Sequence, residues 1–345
     1  TRYWRDWSSD VCSSDLPPGR YQIRVEKGPE YRIAAQEFFI KAGGQQPVRI
    51  NLGRWINLPA QGWHGADDHL HIPRSSPDLD PLLAAWMQAE GIHVANLLQM
   101  GMARDVHLAP QWAFGEASVY TARGTLLAGA QENPRTHVFG HSIVLGAKQW
   151  IDFPAAYLRY DLSWEEAHRQ GALAGYAHFG MAAAQDGLAL WGRRRLIDFI
   201  EVLNVGFPYY GSWYDALNLG ERVTPTAGTD YPCVANLPGR ERFYTKVDGS
   251  LTFRRWLDAV RRGRTFVTNG PVVELSAGAS AVGDELRLAK PGALRVSAKV
   301  RFDTSRDRVD RIEIVQAGNV VATESRPTGV GEITIEADIP RSEEH

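Results

Sequence analysis

Cysteine is nearly absent from this chain. Only Cys12 and Cys233 occur in 345 residues, so no disulfide framework holds the fold and a hydrophobic core must do so. Apolar runs are short. None approaches the roughly 20 residues a membrane-spanning helix needs, so no membrane span is expected. Charge of one sign is missing as well: 38 Lys and Arg against 40 Asp and Glu leave a formal net charge of −2. Without a basic footprint, nucleic acid is not expected as a partner and a small-molecule substrate is. Internal repeats and low-complexity tracts are also absent, and no pattern fixes an oligomeric state.

The two ends are unusual. Residues 6–16, DWSSDVCSSDL, match codon by codon the translation of a common sequencing-adapter oligonucleotide, and the final RSEEH matches the start of the opposite adapter. Residues 1–16 and 341–345 are therefore read as adapter artefact and set aside, Cys12 with them. The natural N-terminus is then expected to be missing.

Three regions follow from the hydrophobic period. Residues 17–56 alternate, with Tyr21-Ile23-Val25 and Val48-Ile50-Leu52 at period two and turn signals KGPE and AGGQQP between them. This predicts a truncated β-sandwich. Over 57–271 helical and strand patterns take turns. SPDLDPLLAAWMQAEG, with Ser76 and Pro77 opening a helix, feeds IHVANLLQM; SWEEAHRQGAL, with Ser163 as cap, feeds AGYAHFG. SLTFRRWLDAVRRG is a capped amphipathic helix before RTFVTNGP, whose Asn-Gly predicts a positive-φ turn. Such alternation implies an α/β fold with a parallel sheet or (β/α) barrel. Residues 272–340 return to period two and predict a C-terminal β-sandwich.

The polar residues of the middle region carry the chemistry. GWHGADDHLHIP places Asp67, His69 and His71 on alternate positions, so both imidazoles point to one side of a strand end. Glu132 ends TLLAGAQE, His178 ends LAGYAH and Asp230 ends TPTAGTD. In a barrel, the C-terminal ends of parallel strands converge on one mouth. Two imidazoles joined by Glu132, His178 and Asp230 suit a divalent metal, Zn²⁺, or Mn²⁺ or Fe²⁺ where carboxylates dominate. His141, heading the strand GHSIVLG, is either a ligand, a proton donor or a structural histidine. Asp67 is expected to orient a ligand histidine through its second nitrogen. Arg242 and Tyr244 in GRERFYTK either meet an anionic substrate or form an ordinary strand face. His64, His93, His107 and His137 are read as supporting or surface residues.

Taken in order, GADDHLHIPRS, GAQENPRTHVFGHSIVLG, GYAHFG, IEVLNV and TAGTDYP resemble the motifs of PHP-superfamily metallohydrolases. WLDAVRRGRTFVTNGPVVEL and the entry GRYQIRVEKGPEY resemble the CehA/McbA branch, over roughly residues 19–285. The resemblance implies a distorted TIM-like barrel of PHP type flanked by the two sandwiches, and a hydrolase of ester, carbamate or phosphoester bonds. It implies His69, His71, Glu132, His178 and Asp230 as metal ligands, with Glu132 bridging. It departs at two points: HVANLLQM lacks an Asp-His pair, and GTDYP lacks the final histidine of a GSDxH motif. One or two ions are therefore expected rather than three.

In the expected mechanism a metal-bound hydroxide attacks the carbonyl carbon or phosphorus, with Asp230, His141 or His178 shuttling the proton. Two rivals stand beside it. An amidohydrolase-type site would need a bridging carboxylated lysine, for which Lys148 is the nearby residue. A non-catalytic carbohydrate-binding protein would keep only a relict metal site. Sandwich modules around an enzyme suggest, by analogy, an extracytoplasmic location.

Overall fold

The computed structural model describes residues 16–43, 47–101, 108–179, 194–234, 236–287, 292–325 and 331–341. Most of the terminal stretches read as adapter lie outside these residues, as does His107. The chain begins with an antiparallel hairpin, β1 (Gly19–Val25) and β2 (Ala34–Ile40). The expected strand over Val48–Leu52 does not form. Its side chains alternate between half-buried and exposed as the period demands, and the segment is tied down just beyond by the Tyr31–Arg54 bridge and by the Arg32 amide, which donates to the Gly53 carbonyl at 2.8 Å. Glu30 ties this region to the centre: buried, it takes Arg54 at 2.5 Å, the Leu58 amide at 3.1 Å and the Tyr244 hydroxyl at 3.3 Å.

An 11-stranded sheet forms the centre. It contains β3 (Trp63–Leu70), β4 (Val94–Met100), β5 (Tyr120–Ala122), β6 (Thr125–Thr136), β7 (Gly140–Leu145) and β8 (Leu173–Tyr176). β9 (Phe199–Asn204), β10 (Phe207–Pro208), β11 (Thr224–Gly228), β12 (Arg242–Lys246) and β13 (Thr265–Thr268) complete it. β3, β4 and β6 run parallel, and so do β8, β9 and β11, but β7 lies antiparallel between the two groups. At the other edge β12 pairs antiparallel with β3, and β13 pairs antiparallel with β12.

The sheet is a curled half-barrel with few helices: the α/β character of the sequence reading is present, and the distorted TIM-like barrel it expected is not a closed one. Strand pairs joined by short links, such as β6 and β7, leave no room for the helix that a parallel crossover requires. Four α-helices are present among the described residues: α1 (Asp80–Ala89), α2 (Tyr160–Arg169), α3 (Tyr210–Asn218) and α4 (Phe253–Arg261). α1 packs over β5 and β6, its Leu83, Ala84 and Met87 joining Leu70, Ala95, Leu97 and Leu127 in one cluster. α2 does the same with Tyr160, Trp164 and Ala167 over β7 and β8. Phe253, Trp256, Leu257 and Val260 of α4 join Ala66, Val94, Leu126 and Ile143 in the core inside the curl.

Local signals hold in part. Ser76 accepts the Asp78 amide ahead of α1, and Thr252 caps α4 by accepting the Arg255 amide at 3.3 Å. Ser163 is not a cap; α2 starts at Tyr160 and buries Ser163 in its interior. The Asn269-Gly270 turn has no positive φ. Thr268 Oγ1 closes it instead, accepting the Gly270 amide at 2.8 Å and donating to the Pro271 carbonyl at 2.6 Å. Glycine is needed there for space, since a Cβ would lie 2.4 Å from Asp307 Oδ1.

The C-terminal region carries β14 (Val272–Ala277), β15 (Ser280–Ala281), β16 (Gly292–Arg301), β17 (Arg311–Gln316), β18 (Asn319–Ser325) and β19 (Glu332–Arg341). A four-stranded sheet, β15-β14-β16-β19, packs against the β17-β18 hairpin through Ala298, Ile335, Ile339 and Ile314.

The curl is joined at its rim. Leu70 pairs with Tyr231, and the His71 amide donates to the Tyr231 carbonyl at 2.7 Å. Beside this seam lies Asp67, fully buried. Its carboxylate accepts the amides of His69 (3.0 Å), Thr229 (3.2 Å) and Gly239 (2.8 Å) and the Thr229 hydroxyl (2.6 Å). Burial pushes its pKa up to about 6 against these four bonds, so it is ionised at neutral pH. Asp67→Asn is expected to cost about 3 kcal/mol in denaturant unfolding, because an amide cannot accept at both ends of the fork. Away from the rim, the Asp198 carboxylate, 2.8 Å from His168 Nε2, holds that imidazole above its ordinary 6.5 against burial. The pair stabilises fully below pH 6.5 and its contribution is lost as pH rises through the raised value. His168→Gln should flatten the pH dependence of Tm above that point.

Candidate metal centre

A β-bulge between Asp67 and Leu70 turns the end of β3 inward. It brings His69 and His71 together at the rim, where β6 presents Glu132 at the last residue it pairs with β4 and the turn after β11 presents Asp230. His69 Nε2 and His71 Nε2 are 3.0 Å apart. Asp230 Oδ1 lies 3.3 Å from the first and 3.2 Å from the second. Glu132 approaches His71 Nε2 to 3.3 Å through Oε2 and His69 Nε2 to 3.7 Å through Oε1. Ligands at 2.0–2.1 Å around a tetrahedral zinc stand roughly 3.3 Å from one another. Five donor separations in this set, from 3.0 to 3.7 Å, match that spacing.

The tautomers are fixed from behind. His71 Nδ1 lies 3.3 Å from the Leu98 carbonyl, which can only accept, so Nδ1 carries the proton. His69 Nδ1 lies 3.1 Å from both oxygens of the Glu201 carboxylate and donates to it. Both Nε2 lone pairs therefore point into the same space, towards two carboxylates. Burial alone would lower the His69 pKa, but Glu201, Asp230 and Glu132 outweigh it and hold it well above the usual histidine value. For His71, Asp230 and Glu132 likewise overcome burial. Burial would raise Glu132, yet His141, His71 and His69 hold it well below the ordinary carboxylate range. The site's negative field calls for positive charge. Glu132 is fully buried, and neither oxygen makes a well-aligned hydrogen bond despite its close neighbours. A cation fits these orphaned atoms.

A second group adjoins the first across Glu132. His141 Nδ1 lies 2.8 Å from Glu132 Oε1, and His178 Nε2 lies 4.0 Å from the same oxygen and 3.2 Å from His141 Nδ1. Burial, then the neighbouring His69 charge, lowers the His178 pKa to about 4. His178 is therefore neutral at physiological pH and offers a lone pair rather than a proton. Its backbone is left-handed at φ 30°, and that of Asp230 at φ 54°. Such strained conformations concentrate where a side chain must be aimed. The His178 amide is held by Glu201 Oε2 at 2.5 Å. Arg135 Nε, on the partly open side, sits 2.7 Å from Glu132 Oε2.

All five expected ligands thus meet at the rim, with His141 beside them. Three expectations are corrected. Asp67 does not orient a histidine ring; it closes the seam, and Glu201 takes that task. Arg242 is no substrate contact: its guanidinium donates to the carbonyls of Gly239 (2.5 Å), Gly91 (2.8 Å) and Glu90 (3.1 Å) and is buried among them. Tyr244 is buried against Phe266 and reaches Glu30, away from the rim. Lys148 is exposed beyond the far end of β7, which removes the bridging lysine of the amidohydrolase alternative. His137 is exposed, while His64 and His93 pack edge-to-face with ring centroids 5.7 Å apart, below the start of the parallel strands.

Glu201 and Arg135 were not singled out from sequence. Glu201 carried a signal, a lone acid inside the apolar run FIEVLN whose six residues are all buried. Asp68, also fully buried, was not singled out either; burial first, then the Glu201 carboxylate, push its pKa well above the ordinary range.

No family model matches the chain, and no curated protein matches it. Solved structures similar to it include a two-domain protein from Bacteroides vulgatus ATCC 8482 containing a predicted PHP-like metal-dependent phosphoesterase. That match has a TM-score of 0.43 and 12% identity, covering 81% of this chain and 85% of the other. PsfC from Pseudomonas syringae PB-5123 matches with a TM-score of 0.39 and 13% identity, covering 60% and 91%. Endonuclease Q in complex with a 27-mer duplex substrate matches with a TM-score of 0.38 and 13% identity, covering 58% and 56%. This last finding overturns the expectation that nucleic acid is no partner. A chain-wide charge balance does not describe the field of a single cleft. Among the described residues no helix is long and apolar enough to cross a membrane.

Two measurements check the geometry. Glu201→Gln should weaken binding of a divalent metal about 10- to 100-fold in calorimetric titration, as loss of a ring-orienting partner does. Gly228→Ala should do at least as much harm, since its Cβ would sit 2.4 Å from His69 Cβ and 2.5 Å from Glu201 Oε1.

Proposed function

We propose that this chain is a metal-dependent hydrolase whose centre is built by His69, His71, Glu132 and Asp230, with His178 and His141 on the far side of Glu132. The convergence of two buried imidazole lone pairs 3.0 Å apart supports this reading more than any other observation. With both Nδ1 atoms protonated, the two Nε2 atoms need a shared proton or a metal cation between them. Two imidazoles with two carboxylates suit Zn²⁺ best and Mn²⁺ or Fe²⁺ next, and the two groups sharing Glu132 accommodate one or two ions.

A divalent cation held there supplies Lewis acidity and lowers the pKa of water into the neutral range. The chain's own residues do the rest. Glu201 and the Leu98 carbonyl keep His69 and His71 in the tautomer that binds. Glu132 links the two groups. His141, with 23% of its side chain exposed, is the more open imidazole and holds a proton at Nδ1 against Glu132 for transfer to a leaving group. Asp230, 14% exposed, faces the same opening and is the base for an attacking water. Arg135, 20% exposed, places a guanidinium beside Glu132. That group favours a phosphoester over a neutral ester or carbamate, because its fork matches phosphoryl oxygens. The narrower assignment to the CehA/McbA branch rests on the sequence motifs alone.

The test is elemental analysis of purified protein followed by turnover of an activated ester, a carbamate and a phosphodiester, with and without added Zn²⁺ or Mn²⁺. His69→Ala and Asp230→Ala should each lower metal-dependent turnover by about 1000-fold, a loss of several kcal/mol, while circular dichroism stays unchanged. Unaltered turnover in either variant rejects the assignment.

A further inference from the structure

The turn after β11 carries a thiol to the mouth of this centre. The Val234 amide bonds to the Asp230 carbonyl at 3.3 Å, closing one turn over Asp230–Val234. The closed turn folds the chain back on itself, and Cys233 stands beside Asp230. Its Sγ, an Asp230 carboxylate oxygen and a His71 ring nitrogen all lie within 4.8 Å of one another. The His71 nitrogen that faces the centre is Nε2, because the Leu98 carbonyl takes the proton of Nδ1. The neighbouring Glu132 oxygens are buried and lack well-formed hydrogen bonds. Cys233 is thus a third donor on the exposed side of a centre that already has lone pairs to share, and it is the chain's one free cysteine among the described residues.

Resting on the metal centre of the preceding reading, we propose that Cys233 is a thiolate ligand of that centre, sharing an ion with His71 and Asp230. On binding, the S–H bond breaks, its proton leaves to solvent, and a sulfur–metal bond forms with no change of oxidation state. A thiolate is a soft donor. Its presence moves the site's preference towards Zn²⁺ and Co²⁺ and away from Mn²⁺ and Mg²⁺, which favour oxygen. The same placement sets the thiol where solvent reaches it, so that metal loading and thiol chemistry exclude each other.

The experiment uses the full chain with Cys12→Ser, so that one thiol remains. Co²⁺ is added to the metal-free protein, and bound metal is quantified by elemental analysis. A near-ultraviolet thiolate-to-cobalt charge-transfer band is expected, and it should vanish in Cys233→Ser. The same variant should lose at least about tenfold in Zn²⁺ affinity, with Mn²⁺ affinity little changed. Alkylation of Cys233 by iodoacetamide, read by peptide mass spectrometry, should slow at least about tenfold when Zn²⁺ is bound. Stoichiometric cobalt without the band, or equal alkylation with and without Zn²⁺, overturns the thiolate ligand and leaves the centre standing. Failure to bind any divalent metal overturns both.

Discussion

Four hydrogen bonds to one buried carboxylate decide where this molecule's rim is. Asp67 gathers amide and hydroxyl donors from its own strand, from the turn that follows β11 and from the loop before β12. It joins the two edges of the curled sheet together with the Leu70–Tyr231 bridge and the Thr265 hydroxyl, which donates to the Pro225 carbonyl at 2.8 Å. His69 and His71 sit two and four residues beyond Asp67, and Asp230 sits one beyond Thr229. The carboxylate therefore sets the distance between imidazoles and acid before any ion is present. Preorganisation of this kind lets like-tending lone pairs stay close together.

Polar burial divides into two kinds around the site. Asp67, Arg242 and Glu30 have their partners in backbone amides, carbonyls and fixed side chains, and they hold segments together. Glu132 and His178 retain unpaired buried atoms. In a folded interior such atoms are costly, and they persist where a ligand completes them. Strained backbone follows the site as well, at His178 and at Asp230, whose carboxylate faces the two imidazoles.

Much of this was legible in the sequence. The HxH pair and the polar residues that end apolar runs announced the centre, because strand ends of a curled parallel sheet meet at one rim. Capping signals located α1 and α4. The reversal of β7 was written less plainly: only nine positions separate Glu132 from His141, too few for the crossover two parallel strands require. Glu201 was hidden because its run reads as an ordinary apolar strand, and only burial of that strand shows what the acid must be doing. Arg242 and Tyr244 stayed open in the sequence for the opposite reason. An Arg–Tyr alternation has the same text whether it faces a cleft or clamps backbone carbonyls. The N-terminal alternation named the correct faces of its residues but not whether a second sheet covers them.

The reversed strand has an outcome of its own. β6 leaves the rim and β7 re-enters it, with His137 and Val138 exposed at the tip and the register Arg135–His141 fixed by pairing. Lengthening or recolouring that tip reshapes the wall of the opening while the ladder below keeps Glu132 and His141 where they are. In this architecture the entrance can diverge from one descendant to the next with its floor unaltered.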